Sequence, residues 1–95
     1  MGSTGHTRIA IRVEGRVQGV AFRANVRREA QKAGVRGWVR NIPDGSVEAA
    51  LYGETDAIRQ VVDFCRTGPP GARVDRLERL ADPLEDMPPG FTVRR

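Results

Sequence analysis

The chain of 95 residues contains one cysteine, Cys65, and one histidine, His6. A single thiol closes no internal disulfide. Together the two shortages exclude a Cys/His cluster for zinc, a Ser-His-Asp or Cys-His pair, and a histidine base beyond the first six residues. Any chemistry therefore falls to arginine, amide, carboxylate and backbone groups. Aromatic residues make up only 5% of the chain, with no RNP-like cluster, which weighs against a stacking platform for single-stranded RNA. No apolar run approaches membrane-spanning length. Met1 to His6 are small and polar without an apolar h-region, so they read as a loose tail rather than a secretory signal, and the expected location is cytoplasmic.

Lysine is nearly missing as well: Lys32 stands alone against fifteen arginines, and the net charge is +4 at pH 7. That balance favours anionic partners. Arginine presents a planar fork that meets two oxygens of a phosphate or carboxylate at once. Single arginines outside a motif read first as solvated surface residues, and net charge alone does not establish nucleic-acid binding. With 39% hydrophobic and 29% charged residues, the length suits one domain with a single core, expected over residues 7–95.

Ile9, Ile11 and Val13 alternate with Ala10, Arg12 and Glu14, which predicts a strand with one buried face. Phe22, Val26, Ala30 and Ala33 then recur at helical spacing and Gly34 supplies a stop, giving a helix over about 22–33. Val35, Gly37 and Val39 share one side of a second strand; Val47, Ala49 and Leu51 share one side of a third. The intervening Pro43-Asp44-Gly45 predicts a hairpin. By parity Asn41 points to the same side as Val39. Ile58, Val61, Val62 and Cys65 mark a second helix, starting near Thr55 or Asp56 and stopped by Gly68-Pro69-Pro70. Val74, Leu77 and Leu80 break parity, so a bulge or an altered boundary is expected within 73–81; Phe91-Thr92-Val93 reads as a short terminal strand, and the acidic pair Glu85-Asp86 as part of a solvated loop. The order β-α-β-β-α-β is satisfied by an α+β, ferredoxin-like sandwich, with two helices on one face of an antiparallel sheet.

The most informative run is Gly15-Arg16-Val17-Gln18-Gly19-Val20-Ala21-Phe22-Arg23, which joins the first strand to the first helix through a short, basic, glycine-bearing turn. Backbone N–H groups of such a turn, the free donors of the helix's first turn and an arginine at its start can converge on one anion. The spacing fits neither Gly-x-Gly-x-x-Gly nor a Walker A pattern, which weighs against a nucleoside-triphosphate loop. Gly15 and Gly19 leave room for a tight turn and a close oxyanion; a plain strand-to-helix turn remains open on the glycines alone. Arg23 opposes the helix dipole, which ordinarily favours an acidic residue there. A bound anion would answer both charges.

This run resembles the signature loop of the acylphosphatases, small enzymes that hydrolyse the carboxyl-phosphate bond. Gly37-Trp38-Val39-Arg40-Asn41 with Asp44-Gly45-Ser46-Val47-Glu48 is similar to the family's second motif, and Gly68-Pro69-Pro70 to its stop after the second helix. The likeness covers roughly residues 7 to 94. It implies the ferredoxin-like fold and a metal-independent, cofactor-free hydrolysis of an acyl phosphate to a carboxylate and inorganic phosphate. By the same resemblance Arg23 binds the phosphate, Asn41 holds the attacking water, and the main-chain amides of Arg16, Val17, Gln18, Gly19 and Val20 bind phosphate oxygens. Gln18 and Arg16 are expected to support the loop with their side chains. The substrate implied is a small molecule, with inorganic phosphate as product and competing ligand; the expected protein is a monomer without nucleic-acid or membrane partners.

The sequence departs from the common family pattern at two places. Ala21 stands where glycine or an aromatic is frequent, and the chain ends Val93-Arg94-Arg95 without an aromatic residue. The first bears on the wall of the acyl pocket, the second on any aromatic contribution from the terminus. Two other readings stay open: a basic ferredoxin-like module that binds RNA or a protein through its open sheet face, and a stand-alone relative of the acylphosphatase-like domains of larger carbamoyl-transfer enzymes, preferring carbamoyl phosphate.

Overall fold

The structure is a computed structural model that describes residues 5–81 and 87–94. Glu85-Asp86 and the first four residues lie outside the described residues. Seven elements follow in order: β1 (His6–Arg16), α1 (Phe22–Ala33), β2 (Arg36–Asn41), β3 (Val47–Glu54), α2 (Thr55–Thr67), β4 (Arg73–Leu80) and β5 (Phe91–Arg94). The first strand begins at His6, so the sheet takes in the last residue of the segment expected as a tail. No described helix is long and apolar enough to cross a membrane.

The strands lie in the order β4-β1-β3-β2-β5. β1 pairs antiparallel with β3 and β4, and β2 antiparallel with β3, but β5 runs parallel to β2, with Val39 opposite Val93. This corrects the expectation of an antiparallel sheet: the sheet is mixed. A parallel partner returns from a distance of about fifty residues, so no local turn signal announces it. Both helices are on one face of the sheet. α1 lies over β2 and β5, while α2 lies over β4, β3 and β1.

Alternation explains which residues fill the space beneath the helices. Ile9, Ile11 and Val13 of β1, Val47, Ala49 and Leu51 of β3, and Val39 of β2 point inward, where they meet Phe22, Val26 and Ala30 of α1 and Ile58, Val61 and Cys65 of α2. Truncating a fully buried member such as Leu51 to alanine would cost about 2–5 kcal/mol. The parity break in β4 is a bulge. Glu14 pairs with Arg76 but Gly15 with Val74, leaving Asp75 as the extra residue. Val74 and Leu77 thereby both pack on the core, while Leu80, opposite Ala10, faces the other way. Gly15 sits at this shift with φ +133°, and a side chain there would collide with the Arg73 carbonyl. Its smallness serves the close approach of β4.

Registered neighbours on the face without helices form rows across the strands. Ala10, Ala50 and Trp38 make an apolar row, and Glu78, Arg12, Glu48, Arg40 and Arg94 a charged one beside it. The charged row covers the apolar row. Arg40 and Arg94 lie over the Trp38 ring, 5.0 and 4.7 Å from its centroid, leaving it only 5% exposed.

Candidate active site

β1 ends in register with β4, and the chain then turns sharply into α1. Val17 is buried and anchors the turn in the core, while Gly19 (φ 75°) and Ala21 (φ 59°) adopt the left-handed conformation. For Gly19 this conformation costs little; for Ala21, a residue with a Cβ, it costs about 1–2 kcal/mol. The alanine is held there by Asn25, whose backbone N–H and side-chain Nδ2 both donate to its carbonyl, at 3.1 and 2.8 Å. No side chain caps α1 and its first turn carries no acid. The first-turn N–H groups of Phe22, Arg23 and Ala24 therefore keep their capacity to bind an anion.

A cleft of about 210 Å³ opens at this helix start, lined by Val17, Gly19, Ala21, Phe22, Arg23, Ala24, Asn41 and Val93. It is smaller than the roughly 300–1,000 Å³ of drug-sized pockets, which suits a phosphoryl group with a small substituent. Arg23 reaches it from the second position of α1. Its guanidinium donates to the Arg94 carbonyl at 3.1 Å, and among the described residues no carboxylate forms an ion pair with it. Among the described residues the cation is thus aimed at the cleft without a carboxylate partner.

Asn41 comes to the same cleft from the end of β2, where it pairs with Val47 across the hairpin. Its Oδ1 is buried and accepts no hydrogen bond among the described residues. Buried acceptors in folded proteins nearly always have donors, so this one is suited to an O–H from a molecule in the cleft. The hairpin behind it is tightly tied: Ile42 N–H donates to Ser46 O at 2.8 Å, and Gly45 N–H to Ile42 O at 3.0 Å. Ser46, only 3% exposed, donates to Asp44 Oδ1 from its backbone at 2.9 Å and from its hydroxyl at 2.6 Å. Those bonds, the hydroxyl's first, hold the Asp44 carboxyl below the usual carboxylate range.

The structure brings Val17, Gly19, Arg23 and Asn41 together in the lining of the cleft, while the side chains of Arg16, Gln18, Val20, Trp38, Tyr52 and Cys65 lie elsewhere. Arg16 is exposed, in register with Arg73 of β4, and Val20 packs against the core. The Gln18 side chain turns to the hairpin, where Nε2 donates to Ile42 O at 2.8 Å and to Ser46 O at 2.9 Å. Trp38 and Tyr52 lie on the opposite face of the sheet, in register with Ala50 and Arg36. Cys65 is a core residue whose thiol burial pushes up to about 12, so it stays protonated and unreactive. Val93 and Ala24 also line the cleft, with no sequence pattern assigning them to it. Val93 reaches the cleft only through the parallel pairing of β5, for which the sequence carries no signal.

The family model for acylphosphatase matches residues 9–93. An acylphosphatase of Rubrobacter xylanophilus is 48% identical over 87 residues, covering 92% of this chain and 79% of its own. One from Anaeromyxobacter dehalogenans is 52% identical over 81 residues, with 84% and 87% covered. Among solved structures, an acylphosphatase from Coxiella burnetii superposes with a TM-score of 0.86 at 36% identity, over 99% of this chain and 98% of that one.

Proposed function

The chain belongs to the acylphosphatase family and hydrolyses acyl phosphates, and on that footing we propose how its residues divide the reaction. Arg23, the loop amides and the first-turn N–H groups of α1 bind the phosphoryl oxygens; Asn41 orients the water. The observation that carries this division is the pairing, in one cleft, of a guanidinium with no carboxylate partner and a buried amide oxygen with no donor, both among the described residues.

Water held by Asn41 attacks phosphorus opposite the bridging oxygen. A bond forms from the water oxygen to phosphorus, the bond from phosphorus to the carboxyl oxygen breaks, and that electron pair leaves with the carboxylate. The water's proton passes to a phosphoryl oxygen, so the products are a carboxylate and inorganic phosphate. An amide can accept an O–H and donate an N–H, which fixes direction without transferring a proton. A strong general acid is unnecessary because the carboxylate is already a good leaving group. Phosphoryl transfer asks chiefly for positioning and charge stabilisation, and arginine, amide and backbone groups supply both without a metal. The same reading makes inorganic phosphate a competitive ligand and the working unit a cytoplasmic monomer.

The RNA-binding alternative loses support on the open face. Trp38 is covered by two guanidinium groups, and Tyr52 is stacked by His6 at 5.8 Å and approached by Arg36 at 5.4 Å. Neither ring is presented for base stacking. Hydrolysis of benzoyl phosphate in ¹⁸O-labelled water with EDTA present tests the mechanism: the label is expected in phosphate and the rate unchanged by the chelator. Label in benzoate, or activity abolished by EDTA, would refute it.

A further inference from the structure

Gln18 lies in the phosphate loop yet directs its side chain away from the cleft. Its Nε2 carries two N–H donors, and both are used: one on Ile42 O at 2.8 Å, the other on Ser46 O at 2.9 Å. These two carbonyls belong to the residues that close the β2–β3 hairpin, since Ile42 N–H itself donates to Ser46 O. Ile42 directly follows Asn41. Among the described residues the Asn41 Oδ1 has no partner to fix it, so the position of its amide depends on the hairpin backbone. We propose that Gln18 is a positioning residue, whose side-chain amide clamps the phosphate loop to the hairpin and so sets the distance and direction from Asn41 to the bound phosphoryl group. The inference rests on the assignment of Asn41 to the water.

The residue type follows from the geometry. A primary amide offers two diverging N–H groups on one nitrogen, which meet two neighbouring carbonyls at once. Asparagine is one methylene shorter. Glutamate has the same shape and no donor, and its charge would face two carbonyl dipoles. The clamp also joins two segments 24 and 28 residues apart in sequence, so loop and hairpin move as one body. A misplacement of about 1 Å at a reacting group can cost roughly 100-fold in rate.

The test is kinetic, on benzoyl phosphate with inorganic phosphate as competitor, for the wild type, Gln18→Ala, Asn41→Ala and the double variant. Gln18→Ala is expected to lower kcat about 10–100-fold while the phosphate inhibition constant stays within about 3-fold. The double variant is expected to be no slower than Asn41→Ala, because a clamp that acts through Asn41 has nothing left to position. Gln18→Glu provides a second readout. Its kcat relative to wild type should rise as the pH is lowered, when a protonated carboxyl regains one donor. Multiplying losses in the double variant, a phosphate constant that weakens in step with kcat, or a Gln18→Glu ratio flat with pH would each overturn the clamp. Wild-type kcat in Asn41→Ala would instead overturn the assignment of Asn41, and the clamp with it.

Discussion

Arg23 and Arg12 carry the same guanidinium in opposite electrostatic settings. Arg12, on the open face of the sheet, donates to Glu48 at 3.0 Å and lies 3.8 Å from Glu78, while Arg40 meets the other oxygen of Glu48 at 3.1 Å. Burial pushes the Glu48 carboxyl up, yet the hydrogen bonds from Arg12 and Arg40 outweigh it and leave it below the usual range. Arg23, on the other side of the sheet, has among the described residues a neutral carbonyl and no carboxylate for company. Fifteen arginines therefore say little by number. What separates a binding cation from a covering one is whether the fold supplies it with a carboxylate.

The sharpest way to break this contrast is Arg23→Gln, which is expected to lower kcat/KM about 10³–10⁵-fold, the range found when an arginine that meets transition-state phosphoryl charge is removed. Arg23→Lys should recover little, since a point charge does not reproduce the planar fork. Next in size, Asn41→Ala is expected to lower kcat about 10²–10³-fold with the phosphate inhibition constant within about 3-fold; steady-state kinetics with phosphate as inhibitor checks both.

On the covering side, Glu48→Gln should reverse the pattern, leaving kcat within about 2-fold and lowering the thermal midpoint by about 2–6 °C. The pH dependence sharpens the same point. Asp44 and Glu48 both bind protons less readily in the folded chain than in the unfolded one. Their contribution is full above the unfolded values, about pH 4, and is lost as the pH falls through the lowered folded values. Thermal midpoints should drop below about pH 4, less steeply in Asp44→Asn. The smallest effect is Ala21→Gly. Relief of the left-handed strain, about 1–2 kcal/mol, is largely cancelled by the greater freedom of glycine in the unfolded chain; a net gain of about 0.5 kcal/mol should raise the thermal midpoint by about 2–4 °C.

What could be read from the sequence was mostly local. Phe22, Val26, Ala30 and Gly34, each four residues after the last, fix α1, and Pro43-Asp44-Gly45 fixes the hairpin that presents Asn41. The parity break among Val74, Leu77 and Leu80 marked the bulge, though not its partner Gly15, because the collision it avoids is with a strand nearly sixty residues away. Val93 and the Arg94 carbonyl reach Arg23 only through a parallel pairing that leaves no pattern in the chain. The two N–H bonds of Gln18 were equally hidden, since an amide in a loop signals neither direction nor partner.

The most direct measurement is calorimetric titration of inorganic phosphate, with EDTA present, into the wild type, Arg23→Gln and Asn41→Ala. Wild type and Asn41→Ala should bind phosphate with affinities within about 3-fold of one another while Arg23→Gln shows no measurable binding, as expected if one residue holds the anion and the other only the water. Phosphate bound by Arg23→Gln as by the wild type, or lost equally in Asn41→Ala, would contradict the division of labour.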